Sequence, residues 1–131
     1  MPLIKDTTLF TNVNASKDHW LSTGAGTAGV NYSFVITKTF IRIELGILTS
    51  SKETNKMYFK KLLKNKEAIV QAFGKELSWE ELPENKMSRI KIEEHGVNLF
   101  SEADWERMNE FFVINLPKFQ NAFKPFTKSL K

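Results

Sequence analysis

The sequence predicts an α+β fold: a four-stranded antiparallel sheet from two hairpins, with two long helices packed on one face in ββαββα order. Two observations predict it. Stretches of alternating apolar and polar residues occur in pairs around short turn-forming segments, as antiparallel hairpins require. Each pair precedes a long stretch in which apolar residues recur every three or four positions, the spacing of an amphipathic helix. Placing both helices on one face buries the apolar side of every element at once.

The chain of 131 residues has the usual size of one domain. It is interpreted as a single domain over residues 1–131, with a partly irregular N-terminal segment over 1–29. The absence of cysteine excludes thiolate catalysis, zinc fingers and a disulfide framework. No apolar run reaches the roughly 20 residues that a spanning helix needs, and no secretory signal opens the chain. The expectation is a cytoplasmic protein without membrane contact.

The first hairpin begins at Val30, after a Thr-, Asn-, Ser- and Gly-rich segment in which only a short helix over 16–21 is predicted. Apolar and polar residues alternate from Val30, break at 37–39, and alternate again. The residues expected to face inward are Tyr32, Phe34, Ile36, Ile41, Ile43, Leu45 and Ile47.

A helix follows the first hairpin. The sequence SSKE at 50–53 fits a capping box with Ser50 as the cap, and Gly74 is the expected stop. Lys66 would fall on the apolar face of a continuous helix. Either its stem snorkels to solvent, or the helix is interrupted near Asn65, which then caps a second segment.

The second hairpin is predicted over 77–82 and 87–93, around the turn-forming sequence PENK at 83–86. Its residues Ile90 and Ile92 should face inward.

The last helix is predicted to begin at the sequence SEAD, 101–104, and to be kinked or split at Pro117. Phe111 and Phe112 cannot both face the core, so part of this helix is a candidate apolar patch. The candidate interface residues for a homodimer or a partner domain are Phe111, Phe119 and Phe123. The alternative is a helix buried on two sides.

A lysine stripe marks the first helix. Lys52, Lys56, Lys60 and Lys64 follow one another at i, i+4 spacing, where like charges destabilise a helix by a few tenths of a kcal/mol per pair. The stripe therefore does not serve helix stability. Lys56, Lys60 and Lys64 are candidates for phosphate contacts with nucleic acid. The alternative is an ordinary solvated face.

The sheet face away from the helices should carry Arg42, Glu44, Arg89 and Lys91. Arg42, Arg89 and Lys91 are further candidates for binding an anion or nucleic acid. The alternative is that these residues form cross-strand ion pairs.

The sequence GAGTAG at 24–29 spells GxGxxG, which in dinucleotide-binding folds follows a strand and opens a helix. Here no convincing strand precedes it and a strand follows. We interpret it as a flexible loop rather than a phosphate cradle.

No catalytic, metal-binding or cofactor-binding residues are predicted. The two histidines, His19 and His95, lie far apart, and no triad or paired-carboxylate spacing occurs. An enzyme would require Glu44, Glu80, Arg89 or a histidine to converge in a cleft with strongly shifted pKa values.

Seven features in this order resemble a bacterial family catalogued as domain of unknown function 4268: Trp20, a glycine loop, VNYSFVI, RIELGI, NKMYFKKLLKNKEAIVQAFG, LSWEEL and SRI. The resemblance covers the chain from Trp20 to the terminal helix. It implies an accessory module, which in longer relatives follows a nuclease-like or DNA-associated region that is absent here, so the chain is a stand-alone version or a fragment. On the matching positions the residues of interest are Lys56, Phe59, Trp79, Glu80 and Arg89.

The sequence thus favours a non-enzymatic binding module that is associated with nucleic acid through its lysine-rich helix, in a restriction or defence-like setting. The expected partners are DNA or RNA and a nuclease-like domain or protein. The alternatives are a protein-interaction or homodimerisation domain using the Phe-rich helix, and an enzyme whose site is not visible in sequence.

Overall fold

The computed structural model describes residues 19–98, 100–128 and 130, with side chains described from Gly24 onward. The elements in chain order are β1 (His19–Gly24), β2 (Val30–Ile36), β3 (Phe40–Ile47), α1 (Lys52–Leu63), α2 (Lys66–Phe73), β4 (Ser78–Glu80), β5 (Ser88–His95) and α3 (Glu102–Thr127). The strands form one antiparallel sheet in the order β1-β2-β3-β5-β4. The predicted α+β class and the order hairpin, helix, hairpin, helix are confirmed.

Strand β1 is an edge strand that the sequence did not predict. It pairs with β2 from His19 opposite Ile36 to Gly24 opposite Asn31. The predicted short helix over 16–21 is therefore wrong for residues 19–21, and its remaining residues lie outside the described part of the chain. The six residues HWLSTG show no apolar alternation. Their strand conformation depends on pairing with β2, which is a tertiary effect.

The core lies between one face of the sheet and the helices. Ile41, Ile43, Leu45 and Ile47 of β3 are fully buried there. Phe112 of α3 stacks on Phe34 of β2 with ring centroids 4.7 Å apart, and Phe59 of α1 meets Trp79 of β4 edge-on at 6.3 Å. Because side chains alternate along a strand, the residues between these apolar ones face away from the helices.

Of the two alternatives for Lys66, the structure shows the interrupted helix. α1 ends at Leu63 and α2 begins at Lys66. Asn65 occupies the N-cap position of α2, but its side chain does not cap that helix. Its side-chain amide donates instead to the carbonyl of Lys61 in α1 at 3.2 Å. The break frees Lys66 from the apolar face, and its ammonium lies 6.0 Å from the ring centroid of Trp79.

Two helices differ from the sequence expectations, α1 at its N-terminal cap and α3 at Pro117. Ser51 rather than Ser50 caps α1, accepting a hydrogen bond from the amide of Thr54 at 3.1 Å. α3 continues as one helix through Pro117, so the predicted split does not occur. A proline inside a helix costs about 3 kcal/mol. Phe119 and Phe123, both fully buried, hold the turns that follow it against the core, and their burial is of a size to offset that cost.

The glycine loop, residues 24–29, connects β1 to β2, so a strand does precede it, contrary to the sequence expectation. A strand follows it, as expected. Gly29 has φ +81° and lies against Thr49, where an added Cβ would come within 2.7 Å of the threonine methyl and 3.0 Å of its Cα. Glycine is therefore required at this position both by the backbone conformation and by space.

We predict that Gly29→Ala destabilises the protein more than Gly74→Ala does. Gly74 has a similar φ of +92°, but an added Cβ there meets nothing within 4 Å. The loss at Gly74 should be about 1 kcal/mol, from backbone strain alone. Gly29→Ala should lose about 2–4 kcal/mol, because the overlap with Thr49 adds to the strain. Urea unfolding midpoints of the two variants measure the difference, and equal losses would contradict the close approach.

Candidate functional site

The excess positive charge of the chain is concentrated in one segment. The whole sequence has 19 basic and 15 acidic residues, a net charge of +4. Residues 52–67, which cover α1 and the start of α2, hold six lysines and two glutamates, also a net +4. The other 115 residues are therefore balanced, with 13 basic and 13 acidic side chains. Any attraction for a polyanion should be centred on this segment.

Lys56, the first of the predicted phosphate contacts, is engaged inside the protein. Its ammonium donates to the carbonyl of Glu81, to that of Leu82 at 2.8 Å, to that of Met87 at 2.7 Å and to the hydroxyl of Ser88 at 3.0 Å. These acceptors lie in and beside the connection between β4 and β5. Lys56 thus fastens α1 to the second hairpin.

The charge state of Lys56 reflects this position. Burial lowers its pKa, the neighbouring ammonium of Lys52 adds to that effect, and the carboxylate of Glu81 opposes it. The backbone carbonyls around the ammonium favour its charged form, because they replace the water lost on burial. With its donors occupied, Lys56 is not available to a phosphate.

Asn55, which sequence reasoning overlooked, completes this attachment. It is fully buried, and its Oδ1 accepts from the amide and hydroxyl of Thr49 at 2.8 and 2.5 Å. Its Nδ2 donates to the carbonyls of Thr49 and Lys86 at 3.2 and 2.9 Å. A signal for it exists in the sequence. Asn55 precedes Phe59 and Leu62 by four and seven positions, so it is a polar residue on the apolar face of the helix.

The remaining lysines of α1 divide into one that is engaged and three that are not. Lys61 donates to the carbonyl of Leu130 at 2.8 Å. Lys52, Lys60 and Lys64 are exposed, and no hydrogen bond or ion pair joins their side chains to the part of the chain that the structure describes. We call these three residues the lysine face. With a rise of about 1.5 Å per residue, it extends about 18 Å along the helix.

Charged side chains of the opposite sheet face form a connected network, which we call the ion-pair face. Its members are Arg42, Glu44, Glu80, Arg89, Lys91 and Glu93. Arg42 bridges Glu93 at 2.5 Å and Glu44 at 3.2 Å. Arg89 contacts Glu80 at 2.6 Å and Glu44 at 3.9 Å, and Lys91 contacts Glu93 at 2.8 Å and Glu80 at 3.3 Å.

The three cations predicted on this face, Arg42, Arg89 and Lys91, are thus each paired with two carboxylates. Strand pairing explains the arrangement, because Arg42 lies opposite Glu93 and Lys91 lies opposite Glu44 in the register of β3 and β5. Three positive and three negative side chains leave the network neutral. The geometry matches the cross-strand ion-pair interpretation of these residues and gives them no surplus charge for a polyanion.

The network also lowers the pKa of two of its carboxylates, Glu93 and Glu80. Burial alone would raise the pKa of Glu93, but hydrogen bonds from Lys91, Arg42 and His95 outweigh it and lower this pKa to about 2. Burial likewise opposes the lowering of the Glu80 pKa, which the hydrogen bonds from Arg89 and Ser78 produce. Glu44, Glu80 and Arg89 do converge, as an enzyme would require. The lowered pKa of Glu80 makes its carboxylate a weak base, and this carboxylate cannot act as a general acid at neutral pH.

The predicted interface residues Phe111, Phe119 and Phe123 lie in the core, with 7%, 0% and 0% of their surface exposed. Phe119 packs on Tyr32 and Phe73 as well as on Phe123. α3 is thus buried on two sides, and these three rings are not on the surface. The large hydrophobic side chain of α3 that is exposed is instead Ile114.

The structure describes the side chain of one of the two histidines, His95. His19 lies in β1, and the side chain of His95, at the end of β5, hydrogen-bonds Glu93 at 3.0 Å. Among residues 24–98 and 100–128, no three or more acidic or histidine side chains form a group that could hold a metal ion. No helix in the described residues is long and apolar enough to span a membrane.

Fold and surface together define a small α+β domain with a neutral, ion-paired sheet face and a cationic helix. The chain matches the family model described as Domain of unknown function (DUF4268) over residues 2–127, and it belongs to that family. The resemblance found in the sequence is thereby confirmed. No curated protein and no solved structure matches the chain.

We predict that Lys56→Met destabilises the domain while Lys60→Met does not. Methionine keeps the length of the lysine stem but removes the ammonium. The carbonyl of Met87 then loses its hydrogen bond from Lys56, whereas the carbonyls of Glu81 and Leu82 still accept from the Ser88 hydroxyl and the Asn85 amide. The lost hydrogen bonds should cost about 1–3 kcal/mol in total. Lys60 is one turn further along the same helix and exposed, so its replacement should change stability by less than about 0.5 kcal/mol. Thermal and urea unfolding compare the pair, and a Lys56→Met protein as stable as Lys60→Met would disprove the attachment.

A second prediction concerns pH. Because the folded-state pKa of Glu93 is about 2 against an ordinary 4.5, its contribution to stability is complete above pH 4.5 and is lost as the pH falls towards 2. Glu93→Gln should be less stable than the parent at neutral pH by about 1 kcal/mol, allowing for solvent screening. This difference should shrink steadily on acidification.

Glu84→Gln is the matched control for this pH series, because Glu84 is exposed in the turn between β4 and β5. Urea midpoints measured across the acidic range should show no pH-dependent gap between this variant and the parent. A gap for Glu93→Gln that stays constant with pH would mean that its carboxylate does not titrate with folding.

Proposed function

We infer that the domain is a non-enzymatic binding module of the cytoplasm that contacts the phosphate backbone of DNA or RNA through the lysine face. One observation carries this proposal. The entire net charge of the chain lies in the segment that contains Lys52, Lys60 and Lys64, and these three ammonium groups have no partner in the described residues.

The contrast with Lys56 and with the cations of the ion-pair face supports the assignment. Arg42, Arg89 and Lys91 are neutralised by carboxylates, and Lys56 is surrounded by backbone carbonyls. Residues that serve the fold are therefore paired, and the lysine face is not. Like charges along one helix face carry a small energetic cost that a polyanion would remove by supplying counter-charge.

The expected interaction is independent of base sequence. Lysine is a point charge on a flexible stem, so it positions a phosphate without reading a base edge. Met57 and Leu63, also exposed on α1 at 47% and 40%, offer apolar contacts but no aromatic platform for stacking. The resemblance to modules that accompany nuclease-like regions agrees with such an accessory role.

The test is a salt titration of binding. Fluorescence anisotropy with labelled duplex DNA and single-stranded RNA should show affinity falling between about 50 and 200 mM salt. The slope of log affinity against log salt should be about −3, one unit for each lysine. Lys60→Glu with Lys64→Glu should weaken binding by more than about tenfold and flatten the slope.

The control reverses two exposed lysines elsewhere, Lys38→Glu with Lys118→Glu, which changes the net charge by the same amount. This variant should keep most of the affinity, because its lysines lie in the β2–β3 turn and on α3. Absence of salt-dependent binding to both nucleic acids, or equal losses in the two double variants, would reject the proposal. Circular dichroism melts verify that all variants are folded.

A further inference from the structure

A cavity of about 330 Å³ lies where the glycine loop meets the C-terminal turns of α3. Its lining includes Gly24 and Gly26 of the loop, Tyr32 of β2, and Asn121, Lys124 and Lys128 at the end of α3. It is on a different part of the molecule from the lysine face, and it shares none of its residues. Its volume falls at the lower end of the range for small-molecule pockets.

The loop wall of the cavity is held in place from several sides. The hydroxyl of Thr27 donates to the carbonyl of Thr127 in α3, and the amide of Ala25 donates to the carbonyl of Val30 at 2.9 Å. Gly29 packs directly on Thr49. At Gly26, with φ +97°, an added Cβ would be 3.6 Å from Cγ of Lys128. The loop is therefore folded against α3, not the free connection that its composition suggested.

The charge of the cavity is one-sided. Lys124 and Lys128 line it, and among the residues that the structure describes no aspartate or glutamate does. Both lysines are exposed, and neither has an ion pair or hydrogen bond in the described part of the chain. Cations near a helix C-terminus are favoured by the helix dipole alone. That effect explains why the lysines occur on α3, but not why they line a cavity whose opposite wall is glycine backbone.

The remaining lining supplies uncharged polar groups. Tyr32 is almost fully buried, and its hydroxyl lies 3.4 Å from the carbonyl of Gln120. Burial raises the pKa of this hydroxyl, although a hydrogen bond with Thr127 opposes the shift. It therefore remains a neutral phenol at physiological pH. The exposed side-chain amide of Asn121 adds both a donor and an acceptor.

We propose that this cavity is a binding site for a phosphate monoester, with Lys124 and Lys128 paired to the phosphate and the glycine loop packed along it. Two unpaired ammonium groups match the charge of about −1.5 to −2 that a phosphate monoester carries near neutral pH. The glycines let the backbone approach the ligand closely, since no Cβ stands between. The shared chemistry is the monoester phosphate, whether free, on a sugar or at the end of a nucleic-acid strand.

Isothermal titration calorimetry of the full chain tests the site with three probes. These are inorganic phosphate, ribose 5-phosphate, and an oligonucleotide with and without a 5′-phosphate. Saturable binding of inorganic phosphate identifies a free-anion site, and tighter binding of ribose 5-phosphate identifies a sugar-phosphate site. Preference for the phosphorylated oligonucleotide identifies a strand end. No saturable binding of any probe overturns the proposal.

Single lysine substitutions test whether the probe binds in the cavity. Lys124→Gln and Lys128→Gln should each weaken the best probe by about tenfold. Lys118→Gln removes the same charge from an exposed position on the same helix and should leave affinity unchanged. Equal losses in all three would show general electrostatic attraction and would overturn the site. Thermal melts confirm the fold, and all three side chains are exposed, so their replacement should not prevent folding.

This proposal stands or falls separately from nucleic-acid binding by α1. The oligonucleotide titration is performed in the Lys60→Glu with Lys64→Glu variant, which lacks most of the lysine face but keeps the cavity intact. Phosphate binding that survives in this variant supports the cavity site even if the parent shows no affinity for duplex DNA. Phosphate binding that disappears in it would assign the binding to α1 and reject the cavity site.

Discussion

The position of α1 relative to both hairpins depends on two adjacent side chains, Asn55 and Lys56. Asn55 binds the backbone of Thr49 just after β3, and Lys56 binds the connection between β4 and β5. Burying an amide and an ammonium is costly unless their hydrogen-bonding capacity is filled. Here the amide of Asn55 makes four hydrogen bonds. The ammonium of Lys56 has three N–H donors and four acceptors within hydrogen-bond distance, so all of its donors are engaged. The same attachment fixes the rotation of α1 about its axis, so that Lys52, Lys60 and Lys64 remain on its outer side.

Strand pairing and the sequence positions of the acidic residues determine which cations of the molecule are neutralised. Neighbouring strands bring opposite charges within about 5 Å of one another across the sheet, and Arg42, Arg89 and Lys91 all find carboxylates there. A helix face offers no such cross-strand partner, and Glu53 and Glu67 are the only acids in residues 52–67. The neutral sheet face and the cationic helix therefore follow from where the acids lie in the sequence. Pairing on the sheet is consistent with a structural role, and the unpaired helix charges are what a ligand could use.

The sequence pattern predicted the elements whose conformation is determined by residues close to them in the chain. Alternation located β2, β3 and β5, and the placement of Lys66 on an apolar face gave a break near Asn65 as one of two alternatives. Pattern failed where a distant partner decides the outcome. β1 requires β2 beside it, and the continuity of α3 through Pro117 coincides with burial of the rings that follow it. Lys56 has the spacing of a surface lysine, but its acceptors lie 25 to 32 positions further along the chain. No helical periodicity contains that information.

Thr127 at the end of α3 and Leu130 just beyond it contact the two surfaces for which ligands are proposed. The carbonyl of Thr127 accepts from Thr27 of the glycine loop, and the carbonyl of Leu130 accepts from Lys61 of α1 at 2.8 Å. One helix terminus is thus connected on one side to the cavity and on the other to the lysine face. Its connecting residues are different from the cations that would contact ligand, which are Lys124 and Lys128 for the cavity and Lys52, Lys60 and Lys64 for α1. Because the supports and the contacts are separate residues, either set of cations can be removed while the other surface keeps its structure.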